Sequence, residues 1–146
     1  MVTPKRPSRP GRKSRTRIRT ASYRYDNDQE AATLWYHDHA LGITRLNVQM
    51  GLAGFYLLRD PVEQALNLPA GPFEIPLAIQ DRSFNPDGSL SYPEMWMEHF
   101  FGDTVLVNGK VWPYLDVAQG KYRFRMLNGS GSRTHRLALS SGAPFT

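Results

Sequence analysis

The sequence predicts an all-β chain built from short strands. Twelve glycines and 11 prolines among 146 residues supply many turns and interrupt long helices. Runs of β-branched and aromatic residues alternate with turn residues along the chain, a pattern typical of a β-sandwich or barrel. At this length the chain can form one compact domain or parts of two.

Charge is distributed unevenly. Eight of the 18 basic residues lie in the first twenty positions, and the remaining residues hold 10 basic and 13 acidic groups. We expect the basic tail, residues 1–22, to be disordered, because it has too few apolar side chains to offset the entropy lost on ordering. A solvated tail is the favoured interpretation, and an arm that binds nucleic acid or another anionic surface is the alternative.

The first predicted strand ends in two histidines. Residues 33–39 read Thr-Leu-Trp-Tyr-His-Asp-His, which is rich in β-branched and aromatic residues. Residues 42–49 predict one short helical turn. Residues 51–60 form a nearly continuous apolar run of strand length, which predicts burial on both faces.

A connection between domains is predicted at residues 61–72. Asp60, Pro61 and Glu63 match a capped helix start, with an acidic N-cap, proline at the first helical position and glutamate at the third. The helix is predicted to continue to about Leu68, before further proline and glycine residues end it.

The second half of the chain predicts more strands. Residues 73–81 read as a strand in which Pro76 indicates an edge position or a bulge. Residues 85–88, Asn-Pro-Asp-Gly, fit a type I turn.

The strongest hairpin signal lies at residues 105–112, because the central Asn-Gly can adopt positive φ at both turn positions. Residues 121–126 alternate polar and apolar side chains, which predicts a strand with one face on a core. Residues 134–140 can supply one more strand.

His37 and His39 are the candidate metal ligands. Side chains two residues apart on a strand leave the same face about 6.6 Å apart along the backbone, so two imidazoles can converge on one ion or bind two adjacent ions. Imidazole binds copper, zinc, iron and nickel, so the pair alone does not select the metal. The structural alternative is a pair of strand histidines hydrogen-bonded at a surface or domain seam. Asp38, between them, either orients a ligand or meets solvent.

The chain contains no cysteine, which excludes disulfides, cysteine-based zinc sites, a thiol nucleophile and a copper–thiolate centre from this polypeptide. No apolar run approaches the roughly 18 to 20 residues that span a bilayer. No apolar segment follows the basic N-terminus as in a signal peptide. We therefore expect no membrane partner, and the sequence assigns no compartment.

The residues around the histidine pair resemble a known motif. Residues 27–42, Asn-Asp-Gln-Glu-Ala-Ala-Thr-Leu-Trp-Tyr-His-Asp-His-Ala-Leu-Gly, resemble the second copper-binding motif of bacterial multicopper oxidases, such as spore-coat laccases and bilirubin oxidases. The resemblance covers about residues 23–146. Further similar stretches follow in the same order, at residues 43–48, 51–60, 80–84, 101–113 and 122–128.

The resemblance implies a copper enzyme built from three cupredoxin-like Greek-key β-sandwich domains. Residues 23–60 would form the C-terminal part of the first domain, residues 61–72 the linker, and residues 73–146 the N-terminal part of the second domain. His37 and His39 would bind the type 3 copper pair of a trinuclear cluster. The family oxidises phenolic or tetrapyrrole substrates such as bilirubin and reduces dioxygen to water.

The other histidine motifs of the family and the cysteine that binds its type 1 copper have no match in this sequence. We therefore expect a fragment with one incomplete copper site that is inactive alone, which leaves its status as an enzyme open. Exposed strand edges lead us to expect self-association. The alternative is a non-enzymatic β-rich interaction protein whose basic tail binds nucleic acid, a partner that we do not favour.

Overall fold

The computed structural model describes residues 22–93 and 95–145, which form two β-sheets and short helices. The predicted disorder of the basic tail therefore lies outside the described residues, apart from residue 22. Within the two described ranges, no helix has the length and apolar content that crossing a membrane requires.

The first sheet is a two-stranded antiparallel hairpin. It consists of β1 (Ala32–His37) and β2 (Ala53–Leu58), with the short helix α1 (Thr44–Gln49) in the connection between them. The predicted helical turn is thus confirmed. Every residue of β2 is half-buried rather than fully buried, because the strand pairs with β1 alone.

The predicted strand at residues 33–39 is confirmed only as far as His37, and His39 lies beyond its end. The backbone leaves the ladder because the Asp38 carboxylate accepts a hydrogen bond from Ala40 N at 3.1 Å. Such local side-chain-to-backbone bonds compete with strand pairing.

The connection after β2 contains the helix α2 (Pro61–Ala65) and a 3-10 turn (Gly71–Phe73). The predicted N-cap is confirmed, because Asp60 Oδ1 accepts a hydrogen bond from Glu63 N at 2.6 Å. The predicted extent to Leu68 is too long. The Glu63 side chain does not return the capping bond, because two arginines of the second sheet occupy its carboxylate.

The second sheet is organised around one long strand. Its strands are β3 (Glu74–Phe84), β4 (Leu90–Ser91), β5 (Thr104–Val107), β6 (Lys110–Val111) and β7 (Arg123–Asn128). β3 pairs antiparallel with β4 and β5 and parallel with β7, and β6 extends the sheet beyond β5. β3 continues past its predicted end, and the predicted turn follows it, closed by a bond from Gly88 N to Asn85 O of 2.9 Å.

The predicted hairpin is confirmed, since Asn108 and Gly109 have φ values of 50° and 77°. The Asn108 side chain also forms hydrogen bonds with the backbone of β3. Its Oδ1 accepts from Ala78 N at 2.9 Å and its Nδ2 donates to Pro76 O at 2.9 Å. Pro76 pairs with β7 on one side. On its other side lies the Asn108 side chain and no described strand, which matches the predicted edge position.

The predicted strand with one buried face is confirmed as β7, but the buried face is the one that carries arginine. Arg125 is buried at 5% exposure, whereas its neighbours Phe124 and Met126 are 39% and 40% exposed. Polar and apolar residues still alternate along β7, but the polar face is the buried one. Carboxylates from α2 and β3 lie on that side and bind the Arg125 guanidinium.

The predicted strand at residues 134–140 is wrong, because these residues contain no strand. Side-chain hydrogen bonds hold the residues at and just before its start instead. Asn128 Nδ2 donates to Arg133 O at 2.8 Å, and the Ser130 hydroxyl lies 2.9 Å from His135 Nε2.

A network of ion pairs joins the two sheets. Arg125 lies 2.8 Å from a Glu63 carboxylate oxygen and 2.5 Å from a Glu74 carboxylate oxygen, and it donates a third hydrogen bond to the Thr33 hydroxyl of β1. All three partners belong to different elements, so one side chain ties β1, α2 and β3 to β7.

The interior of the described chain is polar. Gln49, Asp81, Arg82 and Arg125 are 1–5% exposed, and Leu106, at 8%, is the one apolar residue in the described ranges that is buried to a comparable degree. Fold stability in this part therefore depends on polar contacts rather than on a large apolar core.

Gly102 should be intolerant of any side chain. A Cβ at Gly102 would lie 2.4 Å from Arg82 N and 2.6 Å from Arg82 O, both backbone atoms that cannot move independently. We expect Gly102→Ala to lower the free energy of unfolding by about 1–3 kcal/mol, as overpacking does. Urea unfolding measures the change. Gly120→Ala is the control, since its nearest heavy atom would be 3.8 Å away, and equal midpoints for the two variants would contradict the prediction.

The fold should lose stability in acid through Glu63 and Glu74. Hydrogen bonds from Arg125 and Arg123 lower the pKa of Glu63, and a hydrogen bond from Arg59 chiefly lowers the pKa of Glu74. Because both pKa values lie below the ordinary 4.5, the unfolded chain binds more protons in acid. The stabilisation is present above pH 4.5 and is lost as the pH falls through the lower folded values.

Urea unfolding between pH 7 and pH 3 measures this loss. Glu63→Gln with Glu74→Gln should make the acid-dependent part of the loss smaller, whereas Glu98→Gln, at an exposed position, should leave it unchanged. A loss of the same size in the double variant would show that these carboxylates are not its source.

Candidate metal centre

The two predicted ligands lie side by side. The ring centroids of His37 and His39 are 5.7 Å apart and their planes are inclined by 33°. His37 is half-buried at the end of β1, and His39 is exposed. The rings keep a strand-like arrangement past the end of β1 because Asp38 N still donates to Leu52 O of the neighbouring chain segment, at 3.0 Å.

The His37 ring is held in a defined orientation. Its Nδ1 lies 2.8 Å from Asp38 O, and a carbonyl oxygen only accepts, so Nδ1 carries the proton of the neutral ring. Nε2 then has the free lone pair that a metal ion requires. The ring of Trp35 lies 4.4 Å from that of His37, inclined by 32°, which restricts its rotation.

Asp38 acts on the turn between the histidines. Its Oδ2 accepts hydrogen bonds from Asn47 Nδ2 at 2.9 Å and from Ala40 N at 3.1 Å. The Asn47 bond, followed by the Ala40 bond, lowers the pKa of Asp38, so its carboxylate is charged at neutral pH. Of the two interpretations of Asp38, these contacts favour orientation of the ligands over simple solvation.

The other two histidines lie apart from this pair. His99 is exposed and has Glu98 as its nearest charged neighbour, at 3.9 Å. His135 is half-buried, and its Nε2 lies 2.9 Å from the Ser130 hydroxyl. Among residues 22–93 and 95–145, no group of three or more His, Cys, Asp or Glu side chains could hold a metal ion, so the pair is a two-donor set there.

The geometry of the pair allows binding of a transition-metal ion such as copper but does not by itself select the metal. Imidazole nitrogens bind such metals at about 2 Å, so rings at this separation can share one ion or bind two adjacent ions. An open cavity of about 590 Å³ adjoins His37 and gives access to it. Its lining is largely apolar and aromatic, and includes Trp35, Val48, Trp96, Met97 and Phe100.

Sequence reasoning found the histidines and considered Asp38, but it missed Asn47 and the contact between the rings of Trp35 and His37. The spacing of Asn47 from Asp38 has no periodic signal, because a turn and the first three residues of α1 separate them. Trp35 carried a usable signal, since it lies two residues before His37 on the same face of β1.

Comparison with known proteins identifies the family. The family profile described as multicopper oxidase matches residues 14–63, which contain both histidines. The chain is 51% identical to a laccase of Bacillus stratosphericus and 49% identical to a laccase of Bacillus subtilis strain 168, each over 135 residues. These alignments cover 83% and 84% of this chain and 26% of each relative. The chain belongs to the multicopper oxidase family.

The fold agrees with this membership. The 2F4 variant of the multicopper oxidase McoA from Aquifex aeolicus superposes with a TM-score of 0.64 at 44% identity, over 71% of this chain and 24% of that structure. The predicted cupredoxin-like β fold is thereby confirmed for part of a domain. This multicopper oxidase chain spans about a quarter of the length of the relatives that it matches.

Proposed function

We propose that this chain is part of a laccase-type oxidase in which His37 and His39 bind the type 3 copper pair. The observation that carries the proposal is the side-by-side placement of the two imidazoles, 5.7 Å apart, in a chain of the multicopper oxidase family. Bound copper would supply the electron-transfer chemistry by which the whole oxidase oxidises a phenolic or tetrapyrrole substrate such as bilirubin and reduces dioxygen to water.

The residues of this chain would bind and orient copper and would not react themselves. His37 offers Nε2 because Asp38 O occupies its Nδ1, and His39 offers an exposed ring beside it. Two imidazoles leave a copper ion short of ligands, and the described residues add no third donor. We therefore propose that the chain alone binds copper weakly and is inactive as an oxidase.

The domain assignment is part of the same proposal. Residues 23–60 would end the first cupredoxin domain, residues 73–146 would begin the second, and residues 61–72 would connect them. The division is supported by the two separate sheets, one before and one after this connection.

Self-association of the isolated chain also belongs to the proposal. Large apolar side chains remain exposed, among them Trp112 at 65% and Tyr114 at 89%, together with the outer side of β7. Exposed apolar surface of this kind usually marks a face that other protein covers. The alternative function, nucleic-acid binding by the basic tail, rests on residues 1–22, which lie outside the described residues apart from residue 22.

Copper titration of the full chain tests the site. We expect His37→Ala with His39→Ala to weaken Cu(II) binding at least about tenfold, because loss of ligands should cost no less than loss of the groups that orient them. His99→Ala, at an exposed position away from the pair, should bind like the unaltered chain.

Equilibrium dialysis against copper sulfate measures the uptake. Fluorescence reports on the location, since copper at His37 should quench the adjacent Trp35, and Trp35→Phe should remove that part of the signal. Unchanged uptake in the double histidine variant would refute the assignment of the site.

A further inference from the structure

We infer that Asn47 is a positioning residue that holds the turn between His37 and His39 in its metal-binding geometry. The inference rests on the proposed copper site. It concerns contacts that exist in the copper-free chain, so it can be tested separately from oxidase activity.

Asn47 closes a ring of three hydrogen bonds. Its Nδ2 donates to Asp38 Oδ2 at 2.9 Å, Asp38 N donates to Leu52 O at 3.0 Å, and Leu52 N donates to Asn47 O at 3.0 Å. The ring joins the end of β1, the end of α1 and the start of β2. Removing the Asn47 amide opens it at Asp38, the residue between the two histidines.

The other side of the turn is tied to the start of α1. Ala40 N donates to Asp38 Oδ2, and Ala40 O accepts from the Thr44 hydroxyl at 2.9 Å and from Ile43 N at 3.2 Å. His39 lies between Asp38 and Ala40, so both of its chain neighbours are fixed while its own ring is exposed.

Asn47 helps to position His39, and side-chain packing does not do this in its place. Because the ring of His39 is exposed, its position depends on the backbone on either side of it. That backbone depends on the Asp38 carboxylate, which binds Ala40 N and the Asn47 amide with the same oxygen. Such supporting groups orient the ligands and set metal affinity.

α1 can serve as a fixed support only because other elements hold it. It has six residues and no side-chain cap at its N-terminus, and helices this short are marginal alone. Gln49, at its last position, is 4% exposed, and the preceding residue, Val48, accepts a hydrogen bond from Arg82 of β3 at 3.3 Å. Asn47 therefore links the turn between the histidines to a helix that the second sheet holds in place.

The test compares Cu(II) affinity in matched variants of the full chain. Asn47→Ala and Asn47→Asp should each weaken binding by about 10- to 100-fold, the usual cost of removing a group that orients a metal ligand. Leu46→Ala is the control on the same helix, since Leu46 is 42% exposed, and its affinity should not change.

A reciprocal exchange separates positioning from folding. In Asp38→Asn with Asn47→Asp, the amide now at position 38 can donate to the carboxylate at position 47, which restores the bond between the two side chains. The bond from Ala40 N is given up, because Asp38 accepts both bonds with one oxygen. We expect this double variant to bind Cu(II) more tightly than Asn47→Asp. The amide shifts of residues 37–40 in the copper-free chain should return towards their original values with it.

Three outcomes are distinguishable. Affinity that falls in Asn47→Ala only as far as the folded fraction falls, or an exchange that restores folding but not affinity, overturns the inference. If Asn47→Ala does not fold, the exchange variant decides the matter. Unchanged binding after loss of both histidines removes the proposed site itself, whereas binding that needs the histidines but not Asn47 removes only this inference.

Discussion

The packing of the two sheets depends on the guanidinium of Arg125, whose side chain is 4% exposed. A charge this well buried is tolerable only when its donors are paired, and here Glu63, Glu74 and the Thr33 hydroxyl accept from it. Thr33 lies four residues before His37 on the same strand. The orientation of β1, and with it the location of the candidate copper pair relative to β3, therefore depends on this hydrogen-bonded cation together with the bond from Arg82 to Val48 O.

A second feature follows from these polar contacts between the two sheets. Buried arginine, aspartate and glutamine side chains occupy the places where an isolated domain would have apolar residues, while Phe124, Met126 and Trp112 remain outside. Small domains that fold alone usually bury most of their large apolar side chains. The apolar sides of this chain are thus suited to contact with further protein, in agreement with the quarter of its relatives' length that it spans.

The sequence predicted those features that depend on neighbouring residues. The Asp60 cap, the turn after β3 and the hairpin at Asn108 and Gly109 follow from side-chain chemistry and backbone freedom within a few residues. The histidine pair was visible for the same reason, since strand alternation brings residues two apart to one face. The family was visible because many short motifs occur in the same order.

Features that depend on distant partners could not be predicted in this way. Alternation shows that β7 has two different faces, but only the carboxylates of Glu63 and Glu74, some 50 to 60 residues away in the chain, make the arginine face the inner one. The departure of His39 from the strand and the role of Asn47 likewise require the folded connection between β1 and β2.

The central claim is that the chain itself prepares His37 to bind metal through Nε2. Nitrogen-15 NMR of the copper-free chain at neutral pH tests it most directly, because the two ring nitrogens of a neutral imidazole have distinct shifts in each tautomer. The hydrogen bond from Nδ1 to Asp38 O predicts that His37 is protonated at Nδ1 and unprotonated at Nε2. A His37 ring protonated at Nε2, or one that averages freely between the two tautomers, would contradict the claim.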